Sequence, residues 1–295
     1  MKRSYPLVFC RGIARFDILR DKLAARLKLP DSGLADEVHY FKGIKSFLAE
    51  HGYTVYHTSV GFADGVDERA WQLARQINEI LAAAKIDKIH LIAHSMGGND
   101  ARHMLVDVPG MAGCVASLTT IGTPHLGTSL ADIALRRGGQ KLIDSLFPYI
   151  HLDGFRDLTM EACAGFNARA LDAEVANAVR YRTYASTQRR KDVFLPLQVG
   201  SALLSRAEGE NDGLVSLHSQ EWYGELRASS GRTKRIVQKR FPFPADHLNQ
   251  CGWWEPGELR PGGGTLMQQI QEFDDRIKAV YLEIAETLEG KAAHA

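Results

Sequence analysis

Residues 89–98 read IHLIAHSMGG, and this stretch decides how the rest of the chain is interpreted. The apolar run up to Ala93 predicts a buried strand, and the turn after it predicts a helix that extends to about Asp107. A serine at such a turn, with small residues on both sides, is typical of a nucleophile elbow, because larger neighbours two positions away would collide. Ala93 and Gly97 supply the small positions, so Ser95 is the candidate nucleophile. The alternative is an ordinary glycine-rich turn that carries a surface serine.

Strand-like and helix-like segments alternate along the chain, a pattern typical of the α/β class with a mostly parallel sheet flanked by helices. The predicted strands are Leu7–Cys10, Thr54–His57, Ile89–Ala93, Ala116–Ile121 and Arg182–Ser186. Apolar residues at helical spacing predict helices that include Asp67–Lys85 and Leu266–Leu288. Because no repeat or linker divides the sequence, residues 1–295 are expected to form a single domain.

The composition is that of an ordinary globular protein, with 45% hydrophobic and 24% charged residues. The 36 Lys and Arg residues nearly balance the 35 Asp and Glu residues, so a net charge of +1 gives no field that would attract nucleic acid. The four cysteines have no CxxC spacing, which disfavours a zinc site. No metal and no nucleic-acid partner are therefore predicted.

The amino terminus lacks the features of a targeting segment. The chain enters an apolar strand directly after Ser4, which leaves no room for the ~7–15-residue apolar stretch of a signal peptide. No apolar run approaches the ~20 residues of a transmembrane helix. As it stands, the sequence predicts a cytoplasmic protein. A leader removed before Met1 would instead indicate a secreted one.

A serine nucleophile needs a base, and the base needs an acid that orients it. In folds with this kind of elbow the three residues follow in the order Ser, Asp, His. Asp212 lies in the turn NDG, and His247 lies in the loop PADHLN. Their order and their loop positions make Asp212 the candidate acid and His247 the candidate base.

Other residues compete for both roles. Asp246 is an alternative acid, but a sequence neighbour cannot easily turn back onto the imidazole of His247. The alternative bases are His94, His125 and His218. His94 is expected to point away from a serine at the apex of the elbow, and the other two precede or crowd the acid.

Six stretches together resemble a known family. They span most of residues 4–250 and read YPLVFCRGIARFD, YFKGIKSFLAEHGYTVY, LIAHSMGGNDARHML, VASLTTIGTPHLGTSLAD, NDGLVS and DHLNQ. In this order they resemble the triacylglycerol lipase family of the α/β-hydrolases, which includes bacterial true lipases and fungal mitochondrial-type lipases. The resemblance implies an α/β-hydrolase fold with Ser95, Asp212 and His247 as the catalytic triad. It also implies that the backbone N–H groups of Met96 and Ile13 form the oxyanion hole.

Two positions depart from the family pattern. The family usually has His-Gly after the first strand, whereas this chain has Arg11-Gly12, and arginine cannot reproduce the hydrogen bonding of a neutral imidazole. Many secreted members bind a structural calcium through an aspartate two residues after the catalytic histidine, where this chain has Asn249. Since calcium favours carboxylates, this departure disfavours a calcium site, for which Asp192 would be the upstream ligand.

The segment 126–180 is far longer than the ~2–6 residues of an ordinary connection between a strand and the next element. We interpret it as a helical lid or cap insertion, of which Leu158–Ala170 packs on the sheet. Apolar residues from Leu142 to Ile150 predict an amphipathic flap that shields Ser95 in water, as the segment does in the resembled lipases. The residues expected to contact acyl chains are Leu142, Leu146, Phe147 and Ile150.

The sequence therefore predicts a carboxylic ester hydrolase that acts through an acyl-enzyme, with triacylglycerol as the substrate that the resemblance implies. It needs no organic cofactor, and its lid is expected to contact a lipid surface transiently. A carboxylesterase for small esters or a polyester depolymerase would use the same triad. A more distant alternative is an inactive hydrolase fold that serves as a binding module.

Overall fold

The computed structural model describes residues 5–12, 40–61, 64–136, 153–254 and 264–290. Its centre is a parallel sheet built from β1 (Leu7–Cys10), β2 (Val55–Thr58), β3 (Ile89–His94), β4 (Val115–Ile121), β5 (Arg180–Ala185) and β8 (Val237–Arg240). Within this sheet the strand order is β2-β1-β3-β4-β5-β8, and each neighbouring pair is parallel. A separate antiparallel pair consists of β6 (Glu225–Arg227) and β7 (Thr233–Arg235).

Helices connect the strands and cover the sheet. In chain order the described helices are α1 (Ile44–Glu50), α2 (Val66–Ala84), α3 (Met96–Asp107), α4 (Met111–Cys114), α5 (Ser129–Leu135), α6 (Asp153–Arg156), α7 (Met160–Ala176), α8 (Gln198–Ala207), α9 (Leu217–Glu221) and α10 (Leu266–Leu288). Short 3₁₀ turns occupy Arg190–Asp192, Leu195–Leu197 and Asn249–Cys251. The α/β-hydrolase fold with a mostly parallel sheet flanked by helices is thereby confirmed.

Successive residues of β1 face opposite sides of the sheet, as the period of a strand requires. Val8 lies in an apolar cluster with residues of α2 and α3, among them Leu73, Ile77 and Met104. Phe9 lies in a second cluster with residues of α1 and α10, among them Ile44, Leu48 and Ile284. Both strand residues are fully buried, which explains why β1 is a continuous apolar run.

The last helix agrees with its predicted span. Thr265 caps its first turn, since the Thr265 side chain accepts the Gln268 N–H and the Gln268 side chain accepts the Thr265 N–H. Its buried side chains are Ile277, Val280, Tyr281, Ile284, Ala285 and Leu288, whereas Leu266 in the first turn is 56% exposed. None of the described helices combines the length and the apolar character that crossing a membrane requires.

The insertion between β4 and β5 is helical where the structure describes it. It contains α5, α6 and α7, and the buried side chains of α7 include Cys163, Phe166 and Ala170, as predicted for the part that packs on the fold. The proposed flap residues Leu142, Leu146, Phe147 and Ile150 lie outside the described residues. Parallel strands direct their carboxyl ends to one edge of the sheet, and the predicted site residues follow that edge.

Candidate active site

Ser95 stands between the end of β3 and the start of α3 in a backbone conformation that side chains rarely adopt. Its φ of 57° and ψ of −134° make it one of the few non-glycine residues with positive φ in the described chain. Two hydrogen bonds hold it there: the Ser95 N–H donates to the Ile121 carbonyl over 2.8 Å, and the Thr123 hydroxyl donates to the Ser95 carbonyl over 2.8 Å. The predicted tight turn from strand to helix is therefore present at Ser95, and its strained backbone is supported by hydrogen bonds to Ile121 and to Thr123.

The residues around the elbow must be small. A Cβ atom on Gly97 would lie 2.5 Å from the Arg11 carbonyl oxygen, and one on Gly98 would lie 2.2 Å from the Thr123 hydroxyl. A Cβ atom on Gly12 would lie 2.8 Å from the Ser95 Cβ. Gly12 and Gly97 therefore let the end of β1 approach the serine closely, and Gly98 leaves room for Thr123 after β4.

The three predicted triad residues come together at the carboxyl edge of the sheet. The Ser95 Oγ lies 2.8 Å from His247 Nε2, and His247 Nδ1 lies 2.7 Å from Asp212 Oδ2. Since an ionised carboxylate can only accept, the proton lies on Nδ1 and leaves Nε2 free to accept from the serine hydroxyl. The backbone N–H of His247 also donates to the Asp212 carbonyl over 2.9 Å, which ties the two loops together.

The Asp212 carboxylate is fully buried and receives four hydrogen bonds. Its Oδ1 accepts the backbone N–H groups of Leu214 over 3.0 Å and Val215 over 2.8 Å. Its Oδ2 accepts from His247 and, over 2.9 Å, from the amide nitrogen of Gln250. This set fills the acceptor sites of a carboxylate, so the buried charge is well compensated.

Asp246, the alternative acid, accepts hydrogen bonds from backbone groups instead of from His247. The Oδ1 of Asp246 accepts the N–H groups of Leu248 and Asn249, over 2.9 and 2.8 Å. Its Oδ2 accepts the N–H of Phe194 over 2.7 Å. Burial raises the pKa of Asp246 to about 6, although these N–H groups oppose the shift. Asp246 thus fixes the histidine loop against the neighbouring 3₁₀ segment.

The competing histidines are also engaged elsewhere. His125 bonds Thr120 over 2.8 Å and stacks on Trp222 with ring centroids 4.6 Å apart, while His218 is exposed on α9. The ring of His94 bonds Gln250 over 2.9 Å and Tyr40 over 2.7 Å, so its two nitrogens are engaged away from the Ser95 hydroxyl, which lies against His247. The His94 ring centroid lies 4.6 Å from that of His247.

The structure describes one of the two predicted oxyanion donors. Met96 is the first residue of α3 and is buried, so its N–H belongs to the helix N-terminus, where amide groups lack intrahelical acceptors. Ile13 lies outside the described residues. Arg11 directs its guanidinium to the Val60 carbonyl, with Nη2 donating over 3.4 Å, so the side chain braces the loop after β2.

An apolar cluster lies directly beside the elbow. Met96 packs there with residues of α5, of the segment before α7 and of the 3₁₀ segment near Asp246: Ala131, Ala134, Phe155, Leu158, Val193 and Leu197. Leu195, on the same 3₁₀ segment, is 66% exposed, and Met160 at the start of α7 is 46% exposed. The site thus borders on an apolar wall whose rim reaches solvent.

The residues named for a calcium site are engaged with protein groups. Asn249 Oδ1 accepts the Asp246 N–H over 2.8 Å, and its amide donates to the Trp253 carbonyl over 3.0 Å. Asp192 pairs with Arg189, with a shortest distance of 2.6 Å. In the described structure both side chains of this predicted pair therefore bond protein groups.

One group of side chains in the described part of the chain has the spacing of metal ligands. The ligand atoms of Asp67, His103 and Asp107, on α2 and α3, lie within 4.8 Å of one another. Burial lowers the pKa of His103 to about 4. Arg169 pairs with Asp107, however, so a cation already occupies this position.

The sequence analysis did not predict the buried hydrogen bonds that connect Asp212 with Gln250, His94 and Tyr40. Gln250 is fully buried and links Asp212 to His94, whose Nε2 lies 2.9 Å from the Gln250 Oε1. His94 Nδ1 in turn lies 2.7 Å from the Tyr40 hydroxyl. A signal existed only for Gln250, which follows the candidate base within one helical turn.

Known proteins resemble this chain in sequence and in fold. Residues 32–147 match the family described as alpha/beta hydrolase fold. Triacylglycerol lipase 2 of Saccharomyces cerevisiae is 28% identical over 281 residues, which cover 84% of this chain and 80% of the yeast protein. A triacylglycerol lipase of Vibrio cholerae is 28% identical over 244 residues, 72% of either chain. The mature lipase BlEst2 of Bacillus licheniformis has the same fold, with a TM-score of 0.60 at 20% identity over 84% of this chain and 86% of that one.

Proposed function

We propose that the chain, an ester hydrolase of a lipase family in the α/β-hydrolase superfamily, cleaves acylglycerol esters through a Ser95–His247–Asp212 triad. The observation that carries the proposal is the pair of short contacts at His247, 2.8 Å to Ser95 Oγ and 2.7 Å to Asp212 Oδ2. A serine becomes a nucleophile when a base in hydrogen-bond reach accepts its proton, and the base works when an acid orients it.

The first half of the reaction forms an acyl-enzyme. Ser95 Oγ attacks the ester carbonyl carbon while its proton passes to His247 Nε2, and Asp212 stabilises the resulting imidazolium. The imidazolium then gives this proton to the leaving alcohol oxygen as the carbon–oxygen bond breaks. A water molecule repeats the sequence with His247 as base and releases the fatty acid and the free serine.

The negative charge on the carbonyl oxygen needs donors that are already in place. The N–H of Met96 is one such donor, at the N-terminus of α3, where the helix dipole adds to its effect. The second donor in this proposal is the N–H of Ile13, which lies outside the described residues. The bond between Arg11 and Val60 supports the proposal, since it braces the loop that precedes Ile13.

Two facts support an acylglycerol as substrate. The relatives that align over most of the chain are named triacylglycerol lipases. The apolar wall beside Met96 offers a surface of the kind that a fatty acyl chain requires. A small-ester carboxylesterase or a polyester depolymerase would need the same triad, so the substrate class must be measured with a series of esters.

We expect Ser95→Ala to abolish ester turnover while the fold persists, because the variant loses only the nucleophilic oxygen. Hydrolysis of p-nitrophenyl butyrate, p-nitrophenyl palmitate and an emulsified triacylglycerol should fall by at least about 10³-fold, the usual cost of losing a triad member. Ser117→Ala is the matched control, since Ser117 is buried near the amino end of β4 and bonds His90. Turnover by Ser95→Ala equal to that of the control would refute the triad.

A fluorophosphonate probe separates an enzyme from an inactive binding module. An activated Ser95 should be labelled with one equivalent, and the label should be absent from Ser95→Ala. Turnover of the emulsified triacylglycerol supports the lipase proposal. If the protein hydrolyses the butyrate ester but not the emulsified triacylglycerol, the small-ester alternative is favoured instead.

We also propose that Leu142, Leu146, Phe147 and Ile150 contact the acyl chain and a lipid surface. The support is positional, since the described helices on either side of this segment, α5 and α6, pack beside Met96. Replacing Leu146 and Phe147 with serine should reduce hydrolysis of the palmitate ester much more than that of the butyrate ester, because a longer chain buries more apolar area. Equal losses on the two esters would contradict this role.

A further inference from the structure

Gln250 is a buried amide whose hydrogen-bonding groups meet the catalytic residues. Its Nε2 donates to Asp212 Oδ2 over 2.9 Å and to the Ser186 hydroxyl over 2.8 Å. Its Oε1 lies 2.9 Å from His94 Nε2. With 0% exposure, the side chain exchanges none of these partners for water.

The partners of this amide determine its orientation. Asp212 can only accept, so the nitrogen of the amide must face it and the oxygen must face His94. His94 therefore carries its proton on Nε2, and its Nδ1 must accept from the Tyr40 hydroxyl, 2.7 Å away. The Tyr40 hydroxyl also lies close to Gly12, since a Cβ atom placed on that glycine would be 2.8 Å from the Tyr40 oxygen.

This chain of hydrogen bonds requires a neutral His94. Burial lowers the pKa of His94 well below 6.5, and the neighbouring His247 lowers it further. A neutral ring matters here because His247 becomes an imidazolium during the reaction, with its ring centroid 4.6 Å from that of His94. A second cation at this distance would oppose the proton transfer.

We propose that Gln250 is a positioning residue, which holds the Asp212 carboxylate for His247 and is itself oriented by a buried chain of hydrogen bonds through His94 and Tyr40. The inference rests on the proposed ester hydrolysis at Ser95. Gln250 touches neither the serine nor the apolar wall, so it acts through Asp212 alone. Its removal should therefore change the chemical step and the protonation of His247 while substrate binding persists.

The first test compares two buried glutamines. Gln250→Met keeps the volume but removes the donor to Asp212, so kcat should fall about 10- to 100-fold, the usual effect of losing a buried hydrogen bond to a charged group, with KM unchanged. Gln220→Met is the matched control. Gln220 is 1% exposed and bonds the Ser186 backbone and the Val215 carbonyl, and its loss should lower stability but keep kcat within about threefold.

The second test uses the pH profile, which a merely structural role would not move. The ionisable groups around the amide are Asp212, His94, His247, Tyr40, Tyr281, Asp246 and Cys251. A less compensated Asp212 attracts the imidazolium of His247 more strongly, so the acid limb of kcat/KM should move to higher pH in Gln250→Met. Gln250→Glu adds a carboxylate beside Asp212 and should move it further, by about one pH unit.

A second, smaller substitution keeps the inference testable if Gln250→Met does not fold. Tyr40→Phe removes only the hydroxyl that fixes the His94 ring, and kcat should fall about 3- to 10-fold with KM unchanged. Wild-type kcat and pH profiles in Gln250→Met and Tyr40→Phe, with Ser95-dependent turnover intact, would overturn this inference alone. Absence of Ser95-dependent turnover in the unmodified protein would overturn the proposed function and this inference with it.

Discussion

At the residue scale, the site depends on how closely two backbones approach each other. The loop after β1 passes over the start of α3, and Gly97 lies where any side chain would meet the carbonyl oxygens of Arg11 and Cys10, at 2.5 and 2.7 Å. These are main-chain atoms within a central strand and its loop, so they cannot move without moving the sheet. The absence of a side chain at this one position therefore sets how closely Arg11 and Gly12 approach Ser95.

We expect Gly97→Ala to destabilise the protein by about 1–3 kcal/mol, the usual cost of overpacking, and to lower kcat by about 10- to 100-fold through displacement of the loop. Gly165→Ala is the control, since Gly165 lies within α7 and no atom lies within 4 Å of its added Cβ. That change should stabilise the protein by about 0.5–1 kcal/mol. Urea unfolding and ester turnover measure both effects, and equal stability of the two variants would contradict the steric argument.

The sequence predicts some of these residues and not others, for a physical reason. Ser95, Asp212 and His247 are recognisable because a tight turn and a fixed order along the chain leave local traces. Gln250 leaves only its position three residues after His247, since its partners His94 and Asp212 are remote in sequence and any buried polar side chain must find some partner. Its role becomes visible only when the fold brings the three groups together.

At the scale of elements, a buried arginine joins α2, α3 and the segment before α7. Arg69 Nε donates to Asp100 Oδ1 over 2.9 Å, and Nη2 lies 3.5 Å from Asp157 Oδ2. Asp157 also accepts the N–H of Val66 at the start of α2, over 2.8 Å. Arg69 is 1% exposed, so this contact fixes the base of the β4–β5 insertion to the body of the fold.

Arg69→Met should destabilise the protein by about 3–5 kcal/mol, because removing one member of a buried ion pair leaves the Asp100 carboxylate uncompensated. Arg75→Met is the control on the same helix. The Arg75 side chain is 68% exposed, and its pair with Glu68 spans 3.6 Å, so its loss should cost less than about 1 kcal/mol. Chemical denaturation gives both values. Similar costs for the two variants would mean that Arg69 does not carry this junction.

Helices and strands of this fold differ in how clearly the sequence predicts them. The predicted span of α10 agrees with the structure because its apolar residues keep one face over many turns. The edge strand β8 has no such signal, since all four of its residues are exposed and two are basic. Such an edge resists pairing with other chains, but it lacks the alternation by which a strand is recognised.

At the scale of the whole molecule, the balance of buried ionisable groups links stability to pH. Burial lowers the pKa of His90 and His103 to about 4, and it lowers the pKa of His94 and His125 well below 6.5. The unfolded chain binds protons at these histidines below about pH 6.5, whereas the folded chain does not, so stability falls as the pH falls from 6.5 towards 4. Asp100 and Asp246, with pKa values raised to about 6 by burial, act in the opposite sense.

His90→Gln tests this balance. The variant should be less stable than the unmodified protein near neutral pH, because His90 is buried and bonds Ser117 over 2.7 Å. The difference in unfolding free energy should shrink as the pH falls from about 6.5 to about 4, since the variant has no proton to bind at this position. A constant difference for His90→Gln would contradict the linkage.

The first strand and the last described helix belong to one apolar layer, in which Leu7 and Phe9 pack with Ile277 and Ile284. During synthesis β1 leaves the ribosome long before α10 exists, by roughly 10–50 s at ordinary rates of elongation. Throughout that interval one face of the central sheet lacks its cover and is open to chaperones or to neighbouring nascent chains. Translation must therefore pass residue 288 before the hydrolase can complete its core, and a ribosome stalled upstream carries a chain without esterase activity.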